Sequence, residues 1–383
     1  MSWESIVGLE REKKLLQRAI INNRVHNSYL FIGNNGIGKR ALAFEFAKVL
    51  NCTNPIVTVD EYIACDKCSS CKQIELLKHP NLHLVFSYPT GKSSENKSDN
   101  PLSKLTDQQV EDIQNQLAQF ASNPYHTITL QSANYIKIEQ IREVKRIISM
   151  NATNIGKNVV IIMNAEEMTN EAANAFLKTL EEPSENSVII LTTSRKESLL
   201  QTILSRTQQL FVNQLNNDEI AEGLVKKFNI EEGKAKLIAN LSNGSFAEAI
   251  DYSSNDFTDL RIAFVDLFRT VLKKRNYRIE MLSKIEEITK NYDQKKIING
   301  LSLFEIWIRD AFVYSKLQQK LKIINKDQLE VIEKFVVNFN NFNYLSAFEK
   351  IDKSIFLIRK SVNIQLILVN LFLGIRQNEY NFY

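Results

Sequence analysis

"SYLFIGNNGIGKR" occupies residues 28–40. A short apolar run leads into a loop with three glycines, Gly33, Gly36 and Gly38, and then directly into Lys39 and a helical pattern over 39–50. A strand–loop–helix of this kind binds phosphate through its backbone. Consecutive N–H groups and the helix N-terminus point at phosphate oxygens, the glycines allow close approach, and the lysine reaches the β- and γ-phosphates. The next position normally carries a Ser or Thr hydroxyl that ligates Mg²⁺. Here it is Arg40, which cannot ligate the ion and whose charge opposes it. The stretch therefore predicts a nucleotide-type cradle whose occupancy by ATP is doubtful.

Around this loop, apolar runs alternate with helical patterns. Strands are expected at 28–32, 82–86, 127–130, 158–163, 187–193 and 208–212, rich in Val, Ile and Leu without clean alternation, as strands buried on both faces read. Helices are expected at 39–50, 138–150 and 169–181, the second with Ile138, Ile141, Val144 and Ile148 on one side. Such alternation predicts a parallel α/β sheet. The polar stretch 87–104 breaks the rhythm and reads as a mobile insertion, with a short helix over 106–120 continuing it. Beyond about residue 214 the strand signals fade. Three short helices are expected over 217–252, broken at Asn229, Gly233 and "SNGS" (242–245). A long helical region follows from about 255, with a break near Gly300.

Hydrolysis at such a cradle needs acidic residues at the end of a second strand to hold Mg²⁺. The second strand, "VVIIM", ends in Met163 and Asn164, with Glu166 and Glu167 two to three residues on. One of these could serve only if the register shifts. With the hydroxyl also replaced by Arg40, the parts that position and neutralise a transferring phosphoryl group are missing.

All four cysteines lie at Cys52, Cys65, Cys68 and Cys71, spaced C-x12-C-x2-C-x2-C. Clustered thiols in a reducing compartment point to a metal rather than to disulfides. Four thiolates at about 2.3 Å make a closed tetrahedral Zn²⁺ site, which is structural because it leaves no place for water. Unliganded cysteines, a redox pair or an iron–sulfur cluster are the alternatives. The chain has 383 residues, a net charge of +4, 44% apolar and 24% charged residues. That charge is too small to argue nucleic-acid binding by itself, although "KKRNYR" (273–278) leaves a zinc-containing nucleic-acid-binding module open as a reading. The N-terminal "MSWESIVGLEREKKLL" has no uninterrupted apolar segment. The apolar tract 364–375 is too short to span a bilayer and reads as a buried helix. A cytoplasmic, non-membrane protein is expected.

Taken in order, "RVHNSYLFIGNNGIGK", the four-cysteine module, "IEQIREV", "NAFLKTLEEPSENSVIILTT" and "TILSR" resemble the bacterial clamp-loader subunits of DNA polymerase III. The resemblance implies an AAA+ P-loop domain at 1–213 with an inserted zinc module (52–71) and the polar insertion (87–126). It further implies a small helical lid at 214–254 and an all-α collar at 255–383. Within that family the gamma/tau motor branch keeps a complete P-loop and both strand-end acids, whereas the delta-prime branch is degenerate. Three departures favour delta prime: Arg40, the pair Met163 and Asn164, and Ala247, which stands where the sensor 2 arginine would be in "NGSFAEAI" (243–250). An active gamma/tau-type ATPase is the nearest rival. The resemblance also gives Arg206, of "TILSR", the role of an arginine that reaches a neighbouring subunit's ATP. It implies gamma/tau and delta subunits as partners, with the sliding clamp and primed DNA engaged through the assembled complex.

Overall fold

The computed structural model describes residues 2–89, 105–131, 133–149, 156–184, 186–253, 256–317, 322–360 and 362–379. Most of the polar stretch expected at 87–104 lies outside them. The chain forms two compact units, Met1–Phe228 with Gly244–Ala249, and Asn229–Asn243 with Ile250–Tyr383.

In the first unit the elements run α1 (Glu10–Ile21), β1 (Ser28–Ile32), α2 (Lys39–Asn51), β2 (Ile56–Val57), β3 (Tyr62–Ile63), α3 (Ser69–Glu75) and β4 (Leu82–Val85). They continue with α4 (Asp107–Ser122), α5 (Ile138–Ser149), β5 (Asn158–Ile162), α6 (Asn170–Glu181), β6 (Ser187–Thr193), α7 (Gln201–Leu204), β7 (Gln208–Phe211) and α8 (Asn217–Phe228). Five strands form one sheet in the order β4-β5-β6-β1-β7. Every pairing in it is parallel, with Leu30 opposite Leu191 and Val160 opposite Ile189. The three central strands are buried at every position, which is why their sequences show no alternation. The chain leaves β1 for the far edge at β4, returns through β5 and β6, and ends with β7 on the other side of β1. That order brings the loops after β1, β5 and β6 together at one end of the sheet, where α/β proteins build their sites.

One face of the sheet is covered by α5 and α6. Ile141, Val144 and Ile148 of α5 and Phe176 and Leu180 of α6 close over Leu30, Val160, Ile162 and Leu191. Burying a side chain such as Phe176, which is 0% exposed, makes truncation there cost about 3–5 kcal/mol. The helix after the glycine loop, α2, is buried nearly all round, as its "ALAFEFA", apolar but for Glu45, requires, and Phe44 meets Phe120 of α4 edge to face at 5.9 Å.

The strand expected at 127–130 does not form. Thr129 N–H instead donates to the side chain of Gln116 on α4 at 3.0 Å, so the segment is tied to a helix and not to a ladder. Two short strands the sequence reading passed over, β2 and β3, pair antiparallel between the first two cysteines.

The second unit contains α9 (Glu232–Leu241), the end of α10 (Phe246–Tyr252) and all the helices that follow it. The expected break at Asn229 is present, with φ 52°, but Gly233 lies inside the first turn of α9 and breaks nothing. The later helices are α11 (Asp256–Val271), α12 (Tyr277–Asn291), α13 (Gln294–Leu317), α14 (Leu329–Asn338), α15 (Tyr344–Arg359) and α16 (Ile364–Glu379). The break expected near Gly300 is also absent, because α13 runs through it. A Cβ on Gly300 would lie 2.4 Å from Cε2 of Phe264, so the glycine lets α11 and α13 approach closely.

The core here is aromatic: Phe268 meets Phe304, Trp307, Phe335 and Phe342 at 5.1, 5.9, 5.3 and 5.8 Å between ring centroids. The buried Asp310 carboxylate accepts Asn325 N–H at 2.7 Å and Ile324 N–H at 3.0 Å, fixing the approach to α14. The tract expected as a buried helix at 364–375 is α16, with Ile367, Leu368, Leu371, Phe372 and Ile375 buried and Leu366 exposed. Among the described residues no helix is long and apolar enough to cross a membrane.

Candidate functional site

The glycine loop lies between β1 and α2, at the end of the sheet where β5 and β6 also terminate. Gly36 has φ +76°, and a Cβ there would fall 2.0 Å from Ser245 Oγ, so only glycine fits. Its carbonyl accepts the N–H of Ala247 at 3.0 Å. The stretch that the resemblance aligns with sensor 2 thus braces the loop by backbone and carries no cation at that position.

Lys39 is 7% exposed. Its ammonium donates to the carbonyls of Gly33 and Asn34, each at 2.6 Å, so it is folded back on its own loop. Burial, and then the charge of Arg40, lower its pKa to about 8. Arg40 is half-buried and points to the end of β5. Its Nη2 donates to Asn164 Oδ1 at 2.8 Å. Burial lowers its pKa, while Glu167 and Glu166 favour the charged form.

Asn164 takes the left-handed backbone at φ 52° and passes the network on, donating from Nδ2 to Glu167 Oε1 at 2.8 Å. The other oxygen of Glu167 accepts the Ser87 hydroxyl at 2.6 Å. Glu166 accepts from Ser194 N–H at 3.0 Å and from Ser194 Oγ at 2.7 Å. Burial pushes this carboxyl up, but the Ser194 bonds hold it below its ordinary pKa. Both glutamates that follow the strand are therefore engaged with the loops after β4 and β6. Met163 is buried, 2% exposed. The space above the loop is a cleft of about 150 Å³ lined by Asn35, Gly36, Gly38, Lys39, Arg40, Pro124, Tyr125, Thr127 and Asn164.

Arg206 does not line this cleft. It follows α7 and reaches the end of α6, where its Nε and Nη2 donate to Glu181 Oε1 at 2.9 and 2.5 Å. Nη1 donates to the carbonyl of Thr202 at 3.1 Å. The side chain is 33% exposed, so the guanidinium is oriented at a surface and its charge is partly answered within the chain.

The four cysteines converge, with their sulfurs all within 4.8 Å of one another. A tetrahedral Zn²⁺ with bonds of about 2.3 Å places its sulfurs roughly 3.8 Å apart, and Cys52 and Cys65 already stand at 3.6 Å. Backbone N–H groups of Cys65, Cys68 and Cys71 donate to the sulfurs of Cys52, Cys65 and Cys68 at 3.3, 3.4 and 3.4 Å. These bonds favour thiolates. The Lys67 N–H leads in lowering the Cys65 thiol, and against the upward push of burial Thr53 and the Cys71 N–H bring Cys68 down to about 5, whereas burial pushes the Cys52 and Cys71 thiols up. The donor set fits a metal ion: Cys52, Cys65, Cys68 and Cys71 are placed to hold it.

The module is anchored on α2 by Lys48, which is fully buried. Its ammonium lies 3.1 Å from Glu45 and 3.4 Å from Glu75, and it also pairs with Asp66 beside the second cysteine. The sequence reading passed over Lys48, Glu181 and Tyr125. For the first, the signal was available as a lysine inside an otherwise apolar helix.

These features define an α/β protein with a glycine-rich loop of phosphate-binding type between β1 and α2 and a four-cysteine module. Residues 8–216, more than half of the chain, match a family model described as "DNA polymerase III, delta subunit". The chain belongs to that clamp-loader family. It is 29% identical over 279 residues to the DNA polymerase III subunit delta' of Bacillus subtilis, a match that covers 72% of this chain and 69% of that one. It is 26% identical to the tau subunit of the same organism over 65% of this chain, but spans only 36% of tau. A gamma-subunit-related protein of Thermotoga maritima aligns over 97% of this chain and 99% of its own at 17% identity, with a TM-score of 0.44.

Proposed function

We propose that this chain is the delta-prime-type member of a cytoplasmic bacterial clamp loader. In this reading it is an AAA+ subunit that does not hydrolyse ATP itself. It assembles with gamma/tau-type and delta-type subunits, and the assembly opens a sliding clamp and places it on primed DNA. Residues 214–254 act as a lid and 255–383 as a collar. The observation that carries the reading is the contact between Arg40 and Asn164 at 2.8 Å. A fixed guanidinium and an amide face each other where hydrolysis needs Mg²⁺, a hydroxyl and carboxylates.

Each of the chain's own groups has a part in this reading. Arg40, Asn164 and Glu167 close the loop as a static network, so the unit is a rigid partner in the ring. Arg206, held at the surface by Glu181 and the Thr202 carbonyl, neutralises charge at a neighbour's ATP. A guanidinium acts this way without proton transfer, because its value lies in the charge developed in the transition state. A Zn²⁺ held by the four cysteines supplies cross-linking of the module and no chemistry.

The test is reconstitution from purified subunits with an ATPase assay on each. The chain is expected to enter a stoichiometric complex with gamma/tau-type and delta-type subunits and to show no Mg-dependent turnover alone. Turnover by the isolated chain that disappears in Lys39→Ala would contradict the reading.

A further inference from the structure

Tyr125 lies between α4 and α5, at the end of the insertion, and is 6% exposed. Its ring covers the start of α2: a Cβ on Gly38 would meet Tyr125 Cε1 at 3.2 Å and the hydroxyl oxygen at 3.6 Å. The hydroxyl accepts the backbone N–H of Val7 at 2.9 Å in buried surroundings. Phe246 meets the ring edge to face with centroids 4.8 Å apart, and the Lys227 ammonium stands 5.8 Å from its centre.

A nucleoside attached to a phosphate on the loop's amides needs open space beside the loop. That space is bounded by Pro124, Tyr125 and Thr127, and the cleft that remains holds only about 150 Å³. Pockets for nucleotide-sized ligands run to about 300–1,000 Å³. The interactions that Tyr125 satisfies are those a purine base would use: a flat π-system against the loop, an aromatic neighbour at its edge, and an edge acceptor for a buried backbone N–H. Lys39, at the foot of the same cleft, donates to the Gly33 and Asn34 carbonyls.

We propose that Tyr125 is a built-in occupant of the nucleoside half of the cradle, and that this ring, carried by the turn after α4, closes the P-loop to purine nucleotides. The proposal concerns binding, whereas the loss of hydrolysis rests on Arg40, Met163 and Asn164. Either reading therefore fails without the other.

The experiment titrates a fluorescent ADP analogue into the full chain and its Tyr125→Ala and Tyr125→Phe variants, with unlabelled ADP as competitor and thermal melting to confirm folding. The unmodified chain and Tyr125→Phe, which keeps the ring, are expected to show no saturable binding up to about 1 mM. Tyr125→Ala is expected to bind at least about tenfold more tightly, because the competent open state no longer competes with the ring. That gain is expected to vanish when Lys39→Ala is added. If Tyr125→Ala does not fold, Tyr125→Leu, which keeps an apolar body but not the ring, is read in its place. Saturable micromolar binding by the unmodified chain, a folded Ala or Leu variant with no gain, or an equal gain in Tyr125→Phe would each overturn the proposal.

Discussion

Replacing Arg40 by alanine tests whether an internal cation has become part of the fold. Two effects oppose each other. Removing the guanidinium relieves the cost of burying it, the same cost that lowers its pKa. It also takes away the donor to Asn164 Oδ1 at 2.8 Å and leaves Glu166 and Glu167 with no cation facing them from α2 except the folded-back Lys39. A hydrogen bond to a charged group contributes about 1.5–3 kcal/mol, and stripping one partner from a buried charge network is destabilising even where the intact network is not a net gain. The loss therefore wins, and Arg40→Ala is expected to destabilise the first unit by about 1.5–3 kcal/mol. For a unit of this size that is a fall in melting temperature of about 3–12 °C. The assay is thermal melting followed by circular dichroism, with ATP turnover measured on the same sample and on Arg40→Ser. Arg40→Ser is expected to lose stability similarly and to gain no turnover, because Met163 and Asn164 still stand in place of the acids. A melting temperature that is unchanged or raised, or Mg-dependent turnover in Arg40→Ser, would refute the reasoning.

The purified chain is expected to carry one Zn²⁺, lost on chelation together with a fall in melting temperature, since metal binding at such a site is coupled to folding. A metal-free chain with four freely titrating thiols and the same melting curve contradicts this. Burial raises the pKa of Glu45 to about 7 although the Lys48 ammonium stands 3.1 Å from its carboxylate and opposes the shift. A carboxyl whose folded pKa lies above its unfolded one contributes stability at low pH that is lost as pH rises through the folded value. Stability of the unmodified chain is thus expected to fall between the ordinary carboxylate range and neutrality, and Glu45→Gln to flatten that slope. Identical slopes in melting experiments across pH 5–8 would show that Glu45 is ionised throughout.

The central strands were legible because β1, β5 and β6 are buried on both faces and so read as unbroken Val/Ile/Leu runs. The glycine loop and the cysteine cluster were legible because their spacing is local. What failed was long-range. "TITL" has strand composition, but Gln116, eleven residues before Thr127, captures it. Gly300 looks like a helix break until Phe264 is seen lying against it. Tyr125 sits in a polar stretch with no periodicity, and only the fold brings it to Gly38 and Val7. Glu181 is one acid of a pair in "LEEP", and nothing local marks it as the partner of Arg206. The sequence also could not show that Glu166 and Glu167 are taken up by Ser194 and Ser87, since those partners lie in the loops after β6 and β4.

The most direct measurement is steady-state ATP hydrolysis by the clamp loader reconstituted with this chain or with its Arg206→Ala variant, at saturating clamp and primed DNA. Arg206 is at the surface, so the variant is expected to fold and assemble normally. An arginine supplied in trans contributes about 10³–10⁵ in rate at the site it serves. Only the neighbouring site loses it, so the whole-complex rate is expected to fall by a much smaller factor while assembly stays intact. Unchanged hydrolysis with assembly confirmed would contradict the account and leave Arg206 as a surface residue paired with Glu181.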